Sequence, residues 1–380
     1  MNKLLQKKEW DQEIKELAEF INRGFGKRAE EQSFNRDNWS KSGKSKIQGL
    51  SIPQREGGRG LNALESSQVL ETLAYYCEDG GFCFALAAHL LACSMPLYLY
   101  GSDELKSKYL TKMCDGSLIA ANAITEAQSG SDVFEMNTTA VKEGDYYILN
   151  GHKIYITNAP VSDVVVIYAM TNPIKGFFGG ITAFLLDQSL HNYELTSREN
   201  KFGLKAVMMG QVILNDVKVH KSHVIGQEGG GGRIFNTSMI WEKTCLSGVH
   251  LGSMKRLFSQ TRDFLKSRKL GNHRLSSHQV IQHKMSELYA LIVSSEAVLY
   301  NAASRLDENP NADLSASTSK MIISENYKRF ASDLIHLYGA KAFVDNHPAA
   351  LLMADSVAST IYSGTSEIQK NIISKHLGII

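Results

Sequence analysis

The chain of 380 residues has only six prolines and five cysteines, and almost no net charge. Few prolines leave room for long helices, since proline removes a backbone donor and breaks a helix interior. The cysteines, Cys77, Cys83, Cys93, Cys114 and Cys245, are odd in number and none are spaced C-x-x-C. That argues against a disulfide framework or a thiolate zinc site, and for buried free thiols in a reducing compartment. Lys and Arg total 41 against 39 Asp and Glu, a net charge of +2. A dedicated nucleic-acid binder carries a clear basic excess, so no nucleic-acid partner is expected. The charged N-terminus has no apolar core of signal-peptide length. The most apolar stretch, Phe84 to Tyr100, is interrupted by His89, Ser94 and Pro96, and reads as a buried helix ending near Met95 rather than a membrane span. The expectation is a soluble, cytoplasmic protein with no membrane partner.

What is present is an ordinary globular balance of 43% hydrophobic and 21% charged residues in a chain long enough for two or three substructures. The fold class expected is α+β, in the order helices, strands, helices. Residues 1–118 read as a helical domain: Leu4 to Phe20 is amphipathic, Leu64 to Tyr76 and Phe84 to Ala92 look buried, and Leu105 to Met113 has a mixed face. Residues 119–230 change to strand texture. Tyr146 to Leu149, Asn150-Gly151 and Lys153 to Thr157 spell a hairpin, because Asn-Gly takes the two positive φ values of a tight turn. Val164 to Met170, Ile181 to Leu186 and Gln211 to Val219 add strands, enough for a β-barrel or sandwich. Gly229 to Gly232 lacks the Gly-Lys-Ser/Thr of a phosphate loop and reads as a corner between domains. Residues 231–380 return to helix: Ile234 to Phe264, Gln279 to Leu306, Ser315 to Tyr338 and Ser366 to Leu377 make a four-helix bundle.

Three segments carry candidate chemistry. Ala123 to Asp132 holds small hydroxyl residues and a glycine that can offer backbone N–H groups to a planar ligand. Lys153 to Asn158 puts an aromatic ring and a hydroxyl on one strand face. Ile361 to Lys370 places Gly364-Thr365-Ser366 before the last helix, with Glu367 in its first turn, so free helix N–H groups face outward. Each taken singly is also explained by a loop, a core aromatic and a plain N-cap.

In this order, the three resemble the acyl-CoA dehydrogenase family. Thr125 to Asp132 is similar to its Thr-Glu-Pro-x-x-Gly-Ser-Asp block, with Ala127 in place of proline. Lys153 to Asn158 is similar to Lys-x-Trp-Ile-Thr-Asn, with Tyr155 for tryptophan, and Tyr362 to Thr365 to the C-terminal Tyr-Glu-Gly-Thr. The resemblance runs from about Ser67 to Leu377. It implies a helical domain, a β-barrel and a four-helix bundle with FAD between barrel and bundle. Ala123, Thr125, Gly130, Ser131, Tyr155 and Thr157 match positions around the flavin. Arg268 and Gln279 match positions that reach a neighbouring subunit's FAD, and Thr365 and Glu367 match C-terminal contacts. A homotetramer or homodimer follows, with a flavoprotein or oxygen as electron acceptor.

The departures matter. Arg-x-x-Phe-Gly reads Arg268-Lys269-Leu270-Gly271-Asn272, and Gln-x-x-Gly-Gly-x-Gly reads His336 to Ala342, so cofactor retention is expected to differ. Ser363 stands where many members carry the glutamate that removes the α-proton while the β-hydrogen leaves as hydride to flavin N5. A serine at its ordinary pKa cannot be that base. Some members place the glutamate on a bundle helix instead, and Glu242 falls there, among Ile240, Trp241, Cys245 and Leu246. The alternative for Glu242 is a surface acid, or a partner of Lys243 or Lys255. Ser363 keeps a backbone N–H that can polarise a thioester carbonyl. The expected activity is FAD-dependent oxidation of an acyl thioester. The altered cofactor blocks and the moved base favour an acyl, hydroxyacyl or aminoacyl carrier protein over free acyl-CoA as substrate. A flavin monooxygenase on the same fold, and more distantly a non-enzymatic nucleic-acid-binding branch, are the alternatives.

Overall fold

A computed structural model describes residues 10–344 and 346–379. The N-terminal half of the expected Leu4 to Phe20 helix falls partly outside them; the described helix is Asp11–Asn22, which buries Ile14, Leu17, Ala18 and Ile21. Helix Ala63–Tyr76 starts in a capping box, Asn62 accepting from the Glu65 N–H while Glu65 reaches back to the Asn62 N–H. The apolar run forms helix Gly80–His89, a π-helical turn Leu90–Ser94 and helix Met95–Tyr100. It therefore continues past Pro96 instead of ending at Met95. The widened turn ends with Met95 N–H bonded to Leu90 O, and Pro96 then sits in the first turn of the next helix, where no donor is missed. The Gly80–Tyr100 segment is long and apolar enough to cross a membrane, yet 83% of its apolar window is buried inside the protein. All five cysteines are buried and free.

The middle strands are β1 (Ala120–Ala123), β2 (Thr139–Glu143), β3 (Tyr146–Thr157), β4 (Val164–Met170), β5 (Ile181–Asp187), β6 (Glu194–Leu195), β7 (Met209–His220) and β8 (Val224–Ile225). They form one sheet in the order β6-β7-β3-β2-β4-β5-β8, with β1 added beside β4. The sheet curls around a core of Tyr147, Leu149, Ile167, Phe184, Val212 and Val217, while Val164, Val166 and Tyr168 on β4 pack outward against the N-terminal helices. The expected hairpin at Asn150-Gly151 is displaced. Glu143 pairs with Tyr146, so the turn is Gly144-Asp145, and Asn150-Gly151 lies inside β3. Gly151 is needed there because a Cβ would come within 2.3 Å of Thr138 Oγ1. A local turn signal was outweighed by pairing along the whole of β3. The ladder between β3 and β7 shifts register between Lys153 and Ile156, a bulge in which Tyr155 takes φ +57°.

The expected Ile234 to Phe264 helix is two, Gly231–Cys245 and Ser247–Ser267, meeting at Leu246. The second lies close on Ala63–Tyr76: a Cβ on Gly252 would sit 2.1 Å from Glu71 O. Gln279–Glu308, Asp313–Tyr338 and Ser366–His376 complete the bundle, with Pro348–Ser359 as a further helix that its short, weakly periodic sequence hid. Ile240, Cys245, Leu246 and Val249 share one core with the N-terminal helices, so the Gly231–Cys245 helix is wedged between the helical layers and the sheet.

Candidate active site

A cavity of about 930 Å³ lies where β1, β3, the Gly231–Cys245 helix and the 362–376 segment meet. That volume is in the range of cofactor and substrate clefts. Thr125, Gly130, Ser131, Tyr155 and Thr157 all line it, so the structure brings five of the expected flavin positions together. Ala123 does not: alternation along β1 turns its side chain into the barrel core and puts Asn122 on the cavity side.

The loop carrying Thr125, Gly130 and Ser131 is anchored from below. Lys153, completely buried, donates from Nζ to Glu126 Oε1 at 2.8 Å and to Ile124 O at 3.0 Å. Glu126 also accepts from the Asn137 N–H at 2.7 Å and the Thr138 N–H at 2.9 Å. Burial by itself would raise the Glu126 pKa, but Lys153 and these donors outweigh it and hold the carboxyl below its ordinary value. Burial lowers Lys153 to about 8, so the ion pair stands at neutral pH.

The residues fit a flavin. Asn122 Oδ1 and Asn158 Oδ1 are buried acceptors in the cavity wall with no partner among the described residues. Buried polar atoms rarely stay unpaired, so both ask for a donor from a bound group. Gly130 leaves open space where a side chain would stand. Tyr155 is 62% exposed, a ring held at the cavity by a backbone conformation few non-glycine residues adopt. Sequence reasoning missed Asn122, a lone amide in an alanine-rich strand.

Glu242 lies on the cavity wall and is only 8% exposed. It is not part of an ion pair with either lysine considered from sequence. Lys243 Nζ is bonded to Asp313 Oδ1 at 3.0 Å and Ser317 Oγ at 3.2 Å, and Lys255 Nζ to Glu71 at 2.7 Å and Glu296 at 3.1 Å. What Glu242 does have is the Ser363 hydroxyl, which donates a hydrogen bond to Oε1. Ser363 therefore contributes more than the backbone N–H expected of it. Burial raises the Glu242 pKa, and the Ser363 bond and the charges of Lys320 and Lys243 pull part of the way back. A carboxylate in an apolar wall, with its pKa pushed toward neutrality, is suited to take a proton from carbon.

Ser363 and Gly364 both have positive φ, +55° and +83°, and form the left-handed turn that aims the Ser363 hydroxyl. Gln369 Nε2 donates to the carbonyls of Ser363 at 3.1 Å and Gly364 at 2.8 Å. Next to the turn, Tyr362 packs its ring 4.6 Å from Phe84 and bonds through its hydroxyl to His250 Nε2. Burial lowers His250 to about 3, so it stays neutral. These rings close the inner end of the cavity, while Ala88, Ala92 and Cys93 keep its wall small.

The remaining expected residues lie elsewhere. Thr365 caps the last helix, accepting from the Ile368 N–H at 3.3 Å. Glu367 is exposed and faces Lys370 at 3.8 Å. Arg268 and Gln279 are exposed on an arm that also exposes Leu270 and Val280, away from this chain's own cavity.

The chain matches three family descriptions in order: acyl-CoA dehydrogenase N-terminal domain over residues 8–117, middle domain over 121–217 and C-terminal domain over 229–378. It is 38% identical over 328 residues to an L-prolyl-[peptidyl-carrier protein] dehydrogenase of Serratia sp., covering 86% of this chain and 85% of the relative. Two solved structures superpose closely. The prolyl acyl carrier protein oxidase AnaB has TM-score 0.93 at 34% identity over 98% of this chain and 99% of that one. PigA with FAD and proline has TM-score 0.94 at 34% identity over the full length of both.

Proposed function

The chain belongs to the acyl-CoA dehydrogenase family, uses FAD, and we propose that it oxidises an aminoacyl group, L-proline first among candidates, carried as a thioester on a carrier protein. The observation that carries this reading is Glu242: a buried carboxylate in the cavity wall, bound by the Ser363 hydroxyl and with no lysine at ion-pair distance among the described residues. The relatives' prolyl substrates support the substrate class, and the aromatic floor of Phe84 and Tyr362 supports a compact acyl group over a long chain.

Thr125, Ser131, Thr157 and Asn122 would hold the flavin, with Tyr155 against its ring; when bound, FAD supplies the acceptor for the hydride that leaves the β-carbon. Glu242 takes the α-proton onto a carboxylate oxygen, the α-carbon electrons form the new double bond, and the substrate leaves two hydrogens poorer. Ser363 holds the carboxylate in one orientation through its hydroxyl. Its backbone N–H polarises the thioester carbonyl and lowers the cost of removing the proton. Phe84, Tyr362 and the small residues of the π-helical turn exclude water from the inner end of the cavity. In a homodimer or homotetramer, the exposed Arg268 and Gln279 would help hold the FAD of a second copy.

The test is spectroscopic. Anaerobic mixing of the yellow enzyme with prolyl-loaded carrier protein, proline, prolyl-CoA and a series of straight-chain acyl-CoAs should bleach the flavin fastest with the loaded carrier. Bleaching by a long acyl-CoA and none by prolyl thioesters would overturn the substrate assignment.

A further inference from the structure

Lys320, in the middle of Asp313–Tyr338, is a lysine only 2% exposed, and it was not singled out by any motif. Its Nζ donates to Gly364 O at 2.7 Å. No carboxylate lies within ion-pair distance of it among the described residues; the acids that act on it from further away are Glu242, Glu325 and Glu367. Gly364 follows Ser363 in the left-handed turn, and Ser363 bonds Glu242. One ammonium thus clamps the turn that orients the base and places a positive charge near it.

We propose that Lys320 is a positioning residue for Glu242: its ammonium locks the 363–364 turn that presents the Ser363 hydroxyl to the carboxylate and places a positive charge near it. This rests on the reading of Glu242 as the base. The groups facing Glu242 leave Lys320 as the main uncommitted charge. Lys243, on the same helix, is held by Asp313. Cys93 from the π-helical turn, Tyr168 from β4, and Tyr362 and Ser363 from the C-terminal segment are uncharged, with burial pushing the thiol and both phenols upward. Burial also lowers Lys320, to about 8, so it remains protonated through neutral pH and loses its charge above that. Charge and clamp are separable: glutamine at this position keeps a donor for Gly364 O without the charge, and arginine keeps both.

The experiment is a pH profile of flavin reduction by prolyl-loaded carrier protein in Lys320→Gln, Lys320→Arg and Glu242→Gln, all at matched FAD content. An opposite charge nearby shifts a carboxyl by about one unit or more. Lys320→Gln is expected to move the acidic inflection up by roughly one pH unit and to slow reduction up to about tenfold below it. Lys320→Arg should keep the wild-type inflection. Infrared titration of the carboxyl band that disappears in Glu242→Gln reads the same shift without turnover, even if Lys320→Gln holds FAD poorly. A uniform loss of rate with an unmoved inflection and an unmoved infrared titration would overturn the proposal while sparing the base reading. Wild-type reduction by Glu242→Gln would overturn both.

Discussion

Replacing Lys153 by methionine removes the anchor of the flavin loop while nearly preserving side-chain volume. Glu126, 6% exposed, would keep its bonds from Asn137 and Thr138 but lose its one ion-pair partner among the described residues. Breaking a buried pair by deleting one partner costs roughly 3–5 kcal/mol, because the remaining charge is buried uncompensated. At roughly 1–1.5 °C per kcal/mol for a chain of 380 residues, the apo protein should melt about 5 °C lower. Adding Glu126→Gln removes the stranded charge while leaving an acceptor for Thr138, so the double variant should recover most of that loss. The pH dependence has a definite sign. Glu126 is held below its ordinary value, so its contribution is present above the unfolded carboxylate range, about 4.3, and is lost as pH falls through the folded value. The wild-type advantage over Lys153→Met should therefore be full at pH 6–7 and shrink in acid. Thermal scans by circular dichroism on apo and FAD-loaded protein measure this, and FAD titration should show weaker binding in the single variant. A loss within about 0.5 kcal/mol, the range of ordinary surface substitutions, would refute the claim that this pair holds the loop.

Asn122→Ala is expected to weaken FAD binding by about tenfold, the worth of one hydrogen bond to an otherwise orphaned acceptor, as read by calorimetry. Ser363→Gly keeps the left-handed backbone and the N–H but removes the hydroxyl bound to Glu242, so the acidic inflection of flavin reduction should rise while FAD content holds. Tyr362→Phe leaves His250 Nε2 without its partner and should cost about 1–3 kcal/mol in urea unfolding. His250 is neutral throughout, so that cost should not vary between pH 6 and 8. Light scattering should show a homodimer or homotetramer, and Arg268→Ala should release FAD without unfolding the chain.

The order helices, strands, helices was legible because hydrophobic period changes twice along the chain, and the strand bounds at Val164 to Met170 coincide with β4. The site was legible where function needs a run of particular residues, as at Thr125 to Asp132 and Lys153 to Asn158. What was hidden depends on partners distant in sequence. Asn150-Gly151 spells a turn locally, but ladder pairing of Asn150 with Thr139 and its bond to Asp216 hold it inside a strand. The left-handed Tyr155 arises from a register shift against β7. Lys320 looks like a surface lysine until its neighbours Ala316, Ser317, Ser319 and Ser324 are seen as a buried face of small residues, the one sequence signal that could have found it. Ser363 could be seen as a lost base, but its hydroxyl bond spans 121 positions.

The most direct test of Glu242 as the base is anaerobic stopped-flow reduction of the flavin in Glu242→Gln by prolyl-loaded carrier protein. A positioned base contributes roughly 10²–10⁴-fold. The variant should bind FAD and the loaded carrier as the parent does and reduce the flavin slower by about that factor, with the α-deuterated prolyl substrate showing an isotope effect in the parent. Flavin reduction by Glu242→Gln at the parent rate would contradict the account.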